Sequence, residues 1–171
     1  MDVKKYIADF PDFPKKGVLF RDITPLLENP EAFRETIEMM AEKVRGLDFD
    51  YIVAIEARGF IFGTALAMLL KKPFVISRKP GKLPGKTISA DYEKEYGKDT
   101  LEMHGHSHFA GKKFLFVDDV LATGNTAVAA EQLVKKAGGE MAGFLFLIEL
   151  KFLNGSKTLE GRKIFSLVTY E

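Results

Sequence analysis

The chain has 171 residues, a length at which one domain is expected and a sizeable core can form. Its formal net charge of +1 gives no reason to expect a nucleic-acid or membrane-surface partner. It contains no cysteine, which excludes disulfides, thiolate nucleophiles and cysteine-bound metals. The N-terminus lacks an apolar stretch of signal-peptide length, so we expect a cytoplasmic protein.

Strand-like and helix-like segments alternate along most of the chain. Asn29-Pro30, an N-cap residue followed by proline, begins a first helix. The later periodic segments are strands at 51–55, 73–77, 114–117, 141–150 and 164–170, with helices at 60–70 and 126–137. This alternation predicts an α/β fold with a mostly parallel sheet covered by helices. The helix at 60–70 is apolar on nearly all sides, so we expect it to be buried.

A long polar segment, residues 78–112, separates two of these strands. Loops of this length inside a domain are usually functional or mobile. Thr87–Tyr92 and Thr100–Met103 are expected to be the arms of a hairpin. The segment "HGHSH", residues 104–108, contains all three histidines. We predict no more than adventitious metal binding there.

The stretch "FLFVDDVLATGNTA", residues 114–127, carries the strongest chemical signal. Asp118 and Asp119 follow an apolar strand, and a small, hydroxyl-rich loop then leads into a helix. The N-terminus of a helix and its preceding loop present free amide groups that bind phosphate. Two carboxylates cannot bind the same phosphate, but they can accept hydrogen bonds from hydroxyls. A ribose phosphate offers both groups.

The same stretch resembles the phosphoribosyl pyrophosphate motif of the type I phosphoribosyltransferases. The resemblance implies that Asp118 and Asp119 are catalytic and bind the ribose hydroxyls. It also implies a 5′-phosphate loop, made of Ala122, Thr123, Gly124, Asn125 and Thr126. Adenine-specific members commonly have glycine where this chain has Asn125. Asparagine tolerates a left-handed backbone, so we expect the loop to keep its shape.

Two further stretches resemble the pyrophosphate-binding elements of that family. "AIEARGFIFG", residues 54–63, matches its pyrophosphate loop and implies binding by Ala57, Arg58 and Gly59, with Arg58 also catalytic. The family often has a cis peptide in this loop, expected here at Ala57-Arg58. The basic segment that opens the long polar region implies further pyrophosphate contacts from Arg78, Lys79 and Lys82.

The base and the catalytic acid–base group are also implied by resemblance. Residues 10–27 are similar to the N-terminal hood of adenine-specific members. This similarity puts Leu19, Phe20 and Arg21 around the base, together with Leu150. Glu95, in "EYGKD", matches the family's catalytic glutamate.

The resemblance runs along almost the whole chain and implies a single type I phosphoribosyltransferase domain, 1–171. Its parts would be a hood at about 1–28 and a flexible catalytic loop at about 81–108. The implied reaction joins adenine and phosphoribosyl pyrophosphate to give AMP and pyrophosphate. Mg²⁺ would be held mainly by substrate and water, with no direct protein ligand, and a homodimer is implied.

Two alternatives stay open from the residues. A xanthine or hypoxanthine-guanine phosphoribosyltransferase would share the ribose-phosphate loop. A non-catalytic regulator that binds phosphoribosyl pyrophosphate would share it as well.

Overall fold

Residues 1–39 and 40–171 form two separate sets of contacts, and the computed structural model describes residues 1–94 and 97–171. The first unit opens with a 3-10 turn, Val3–Tyr6. An antiparallel hairpin follows, formed by β1 (Ala8–Pro11) and β2 (Leu19–Asp22), with Phe10 opposite Phe20. A short helix, α1 (Thr24–Leu27), leads toward α2 (Pro30–Lys43).

The start of α2 agrees with the predicted cap. The side-chain oxygen of Asn29 accepts a hydrogen bond from the Ala32 amide at 2.9 Å. This bond satisfies one of the amides that the first turn of a helix leaves unpaired.

The unit of residues 40–171 is built on one parallel sheet of five strands. Its strands are β3 (Tyr51–Ile55), β4 (Phe74–Ser77), β7 (Lys113–Leu121), β8 (Glu140–Leu150) and β9 (Ile164–Tyr170). The order across the sheet is β4-β3-β7-β8-β9. Both ends of β7 extend beyond the predicted strand at 114–117. The predicted α/β fold with a central parallel sheet is confirmed.

Helices cover both faces of this sheet. They are α3 (Arg58–Leu70) and α4 (Asn125–Lys136), with a short α5 (Gly155–Thr158) after β8. Gly63 of α3 lies against Ala54, whereas Ala130 of α4 shares a buried cluster with Val53. Neighbouring residues of a strand point to opposite faces, so α3 and α4 lie on opposite sides of β3.

The expected hairpin forms within the long polar segment. Its arms, β5 (Ile88–Lys94) and β6 (Gly97–Met103), are antiparallel and longer than predicted. Ala90, Leu101 and Met103 are buried in the cluster that contains α4. Much of the segment is therefore attached to the core through apolar side chains. The mobility expected for residues 81–108 and the single domain expected for 1–171 stay predictions.

Helix α3 is less buried than its apolar sequence suggested. Phe62 and Leu66 are fully buried, but Met68 is 78% exposed. Leu69, beside it, is also exposed. Only one side of the helix faces the sheet, so apolar composition alone overestimated its burial. Within residues 1–94 and 97–171, no helix is both long and apolar enough to span a membrane.

Candidate active site

Candidate residues of the larger unit, and one further acid, lie at the carboxyl ends of neighbouring parallel strands. Glu56 follows β3, Arg78 follows β4, and Leu150 is the last residue of β8. Asp118 and Asp119 lie near the end of β7. The carboxyl ends of parallel strands meet at one edge of a sheet, which is where open α/β sheets bind ligands.

The two aspartates lie inside β7 rather than after it, which corrects the predicted end of this strand at Val117. Pairing with β3 stops at Val117, opposite Ala54. Pairing with β8 continues to Leu121, opposite Glu149. Pairing with the long strand β8 therefore extends β7 on one side. On the other side, the stretch that contains the two aspartates is not paired with β3.

Asp119 is buried and paired with Arg58. Its side chain is 6% exposed, and its Oδ2 lies 2.8 Å from Nε of Arg58. The contact is one of charge rather than an aligned hydrogen bond, because Oδ2 accepts no hydrogen bond of ordinary geometry from the described residues. A buried carboxylate oxygen in this position is suited to accept a hydrogen bond from a hydroxyl of a ligand.

The side chain of Asp118 is hydrogen-bonded to the backbone of the next residue. Its Oδ1 accepts a hydrogen bond from the Asp119 amide at 2.9 Å. Burial first, and then the negative charge of Asp119, raise the pKa of Asp118 well above its ordinary value. Burial also raises the pKa of Asp119, against the opposing effect of the Arg58 guanidinium. The protein therefore holds two adjacent carboxylates at a cost that a hydroxyl or cationic ligand would reduce.

Helix α3 brings Arg58 and Gly59 to this pair as its first two residues, whereas the predicted helix began only at residue 60. A Cβ on Gly59 would lie 2.9 Å from Oδ1 of Asp118 and 3.1 Å from the Val117 carbonyl oxygen. Only glycine permits this approach of the helix to β7. The cis peptide is also one residue earlier than predicted, at Glu56-Ala57 instead of Ala57-Arg58.

The predicted phosphate loop joins β7 to α4. Gly124 has φ +84°, and a Cβ there would lie 2.9 Å from the Gly155 carbonyl oxygen. Ala122, Thr123 and Thr126 are half-buried around it. The amides of the first turn of α4 point out of its N-terminus, as anion binding requires.

Asn125 has a different role from the one expected. The left-handed residue is Gly124, and Asn125 is the first helical residue of α4. Its side-chain amide donates a hydrogen bond to the Glu93 carbonyl oxygen of β5 at 3.0 Å. The residue that departs from the family pattern thus connects the loop to the hairpin.

The basic residues after β4 gather around an acid that the sequence reasoning did not select. Glu56 Oε2 lies 2.9 Å from Nη2 of Arg78 and 3.2 Å from Nζ of Lys82. Its Oε1 accepts a hydrogen bond from the Lys79 amide at 2.6 Å, whereas Nζ of Lys79 lies 3.7 Å from Asp99. The available signal was an acidic residue directly after a strand, at the same edge as the cations.

The candidates of the first unit lie on its hairpin strand β2. Leu19 is 43% exposed, and the rings of Phe20 and Phe13 meet edge to face at 5.2 Å. Arg21 forms an ion pair with Asp9 of β1. The unit therefore presents apolar and aromatic surface next to a fixed guanidinium.

Two further predictions concern the polar segment. Glu95 lies outside the described residues. The rings of His106 and His108 stack at 5.0 Å, and His104 lies 5.5 Å from His106. Within the described residues, no three histidine or acidic side chains form a group that could hold a metal ion.

Comparison with known proteins gives a consistent result along the whole chain. Residues 22–169 match the family model described as the phosphoribosyl transferase domain. Adenine phosphoribosyltransferases from Pseudothermotoga lettingae and Thermotoga maritima are 55% and 54% identical to the chain, each over 170 residues. These alignments cover 99% of this chain and 100% and 98% of the two relatives.

Solved structures give the same match. Adenine phosphoribosyltransferase from Thermoanaerobacter pseudethanolicus has a TM-score of 0.96 at 49% identity, covering 99% of this chain and 98% of that one. The Saccharomyces cerevisiae enzyme, solved with an imino-altritol bisphosphate and adenine, has a TM-score of 0.90 at 39% identity. That comparison covers 97% of this chain and 96% of the yeast chain.

Replacing Asp118 with asparagine should stabilise the protein in the absence of ligand. Because the folded pKa of Asp118 is raised, the unfolded chain loses this proton first. The free energy of unfolding therefore falls as pH rises from about 4 through the raised pKa. Asp118→Asn removes this dependence and should raise the melting temperature at pH 7 by roughly 2–4 °C, equivalent to about 1 kcal/mol.

Asp48→Asn is the matched control for this measurement. The pKa of Asp48 is lowered by its hydrogen bond with Lys113, so its charge favours the folded state above the ordinary pKa. Melting curves from pH 4 to 8 should show stabilisation by Asp118→Asn only. Equal behaviour of the two variants would contradict the proposed cost of the aspartate pair.

Replacing Gly59 with alanine should destabilise the site. The added Cβ overlaps Asp118 and the Val117 carbonyl, and the backbone cannot move as a flexible side chain would. We expect a loss of about 1–3 kcal/mol in urea unfolding, as for overpacking. Gly46→Ala is the control, since a Cβ there meets nothing within 4 Å. A similar free energy of unfolding for both variants would show that α3 does not need this approach.

Proposed function

The chain belongs to the phosphoribosyltransferase family and is an enzyme of its adenine-specific branch, and from that premise we propose how this site performs the reaction. The 5-phosphoribosyl group of phosphoribosyl pyrophosphate passes to adenine, giving AMP and pyrophosphate. This is a reaction of purine salvage.

One observation carries the proposed mode of binding. A buried carboxylate oxygen with no aligned donor, on Asp119, lies one short loop before the N-terminus of α4. We assign the ribose hydroxyls to Asp118 and Asp119. The 5′-phosphate is assigned to the loop of Ala122, Thr123, Gly124, Asn125 and Thr126. A ligand that carries both hydroxyl donors and a phosphate matches the aspartate pair and the loop before α4.

We assign the pyrophosphate to cationic and amide groups on the other side of the aspartates. The amide-bearing residues Ala57 and Gly59 flank Arg58, and the basic segment adds Arg78, Lys79 and Lys82. Negative charge grows on pyrophosphate as the bond to ribose breaks, so these groups act most strongly in the transition state. Asp118 and Asp119 face the ribose, where positive charge develops.

Mg²⁺ belongs to this proposal as an ion that enters with the substrate. The residues fit such an ion, because Asp118 and Asp119 place negative charge beside the assigned ribose site. Bound to pyrophosphate and water oxygens, it would add positive charge to the leaving group. No side chain is assigned as its direct ligand.

The base and its proton complete the assignment. We place adenine against Leu19, Phe20 and Arg21, with Leu150 at the end of β8. Glu95 is assigned to acid–base work on the proton of the attacking imidazole ring, which typically contributes about 10²–10⁴-fold. These assignments come from family resemblance and stay predictions.

A homodimer and a cytoplasmic location also stay predictions. The exposed Met68 and Leu69 on α3 support the first, because a second copy would remove this apolar surface from water. Light scattering on the purified protein measures the molecular mass directly.

The base preference is tested with a panel of nucleobases. The enzyme, phosphoribosyl pyrophosphate and Mg²⁺ are incubated with adenine, hypoxanthine, guanine, xanthine or uracil, and the nucleotide is identified by mass. We expect AMP alone. Another nucleotide would keep the ribose-phosphate assignment and overturn the base assignment. Binding of phosphoribosyl pyrophosphate without any product would favour a regulator.

The role of Asp119 is tested by replacing it with asparagine. The change removes the charge opposite Arg58 and weakens the charged hydrogen bonding assigned to the ribose. We expect kcat/KM to fall about 100-fold, the cost of such bonds. His106→Ala is the control, and its kcat/KM should change by less than about twofold, as for a surface site. Equal losses would overturn the assignment.

A further inference from the structure

Glu56 makes several charged contacts at the carboxyl edge of the sheet. Its side chain is 10% exposed, although it lies among cations. Both of its oxygens are occupied: Oε1 by the Lys79 amide, and Oε2 by the side chains of Arg78 and Lys82. Arg78 approaches Oε2 with two nitrogens, Nη2 at 2.9 Å and Nε at 3.3 Å. Every one of these contacts goes to the segment 78–82.

The segment needs such a partner because its own charges repel one another. Arg78, Lys79 and Lys82 lie within five consecutive residues. Burial alone raises the pKa of Glu56, but the hydrogen bonds from Lys79, Arg78 and Lys82 outweigh burial and lower it below its ordinary value. Glu56 is therefore ionised at neutral pH and supplies the opposite charge.

The same contacts fix the path of the backbone. Nη1 of Arg78 donates to the Lys82 carbonyl oxygen at 3.3 Å, which closes the segment on itself. Gly81 donates its amide to Oε2 of Glu102 at 3.2 Å. Glu56 binds the cationic side chains, whereas Glu102 binds only the backbone of this segment. Glu56 therefore positions the charged side chains of the segment, whereas Glu102 anchors its backbone.

We propose that Glu56 is a positioning residue that holds Arg78 and Lys82 in place for a pyrophosphate group. The inference rests on the proposed function, because it takes the segment 78–82 as the pyrophosphate site. Glu56 itself does not touch the ligand. It holds the long side chains of Arg78 and Lys82 in position, so that less conformational entropy is lost when pyrophosphate binds.

The proposal predicts an effect limited to ligands that carry pyrophosphate. Glu56→Gln keeps the shape of the side chain but removes its charge. Binding of phosphoribosyl pyrophosphate and of pyrophosphate should weaken about tenfold, the scale of one charge-assisted contact. Binding of AMP, which has no pyrophosphate, should change by less than about twofold, as for an independent site.

Isothermal titration calorimetry with the three ligands tests this prediction on the full chain, with Mg²⁺ present. Glu102→Gln is the matched control and should leave all three affinities near those of the wild type. Glu56→Asp restores the charge and should recover part of the loss. A melting curve of each variant confirms that it is folded.

The possible outcomes separate the inference from the proposed function. A selective loss for the two pyrophosphate ligands supports the inference. Unchanged or tighter pyrophosphate binding by Glu56→Gln would overturn it, as would an equal loss for AMP. A wild-type protein that binds neither AMP nor phosphoribosyl pyrophosphate would overturn the proposed function, and the inference with it.

Discussion

Two adjacent, buried carboxylates near the end of a strand require positive charge close by, and the start of the neighbouring helix follows from that requirement. Asp118 and Asp119 are adjacent on β7, in surroundings that raise the pKa of both. Arg58 meets the need from the first turn of α3, at 2.8 Å from Asp119. The helix can start there only because Gly59 has no side chain to collide with Asp118. One charge requirement thus accounts for the start of a helix and for a glycine.

The reverse arrangement, in which one acid is surrounded by cations, occurs at Glu56, two residues before Arg58. Glu56 is a single acid among three cationic residues, just as Arg58 is a cation facing two acids. The charged groups of the ligand-free site therefore have internal partners. These contacts keep the charges from being buried without a partner before a ligand binds.

Sequence patterns predicted the features whose residues lie within a few positions of one another. The parallel sheet and the strand–loop–helix order around the acidic pair were predictable, because apolar runs and small residues follow one another within a few positions. The end of β7 was not predictable, since it depends on how far β8 continues beside it. Glu56 was missed because its partners lie 22 to 26 residues away. Likewise, the bond from Asn125 to Glu93 joins residues 32 apart, a distance over which sequence patterns carry no information.

The unequal pairing along β7 has a consequence for the motions of the sheet. Beyond Val117 the strand is paired with β8 but no longer with β3. A strand end held on one side opens at a lower free energy than the doubly held centre, and such openings set the rate at which amides exchange hydrogen with solvent. We therefore expect the amides of residues 118–121 to open locally, without global unfolding. A molecule bound across Asp118 and Asp119 would stabilise the closed form, so its binding would slow deuterium uptake at these amides.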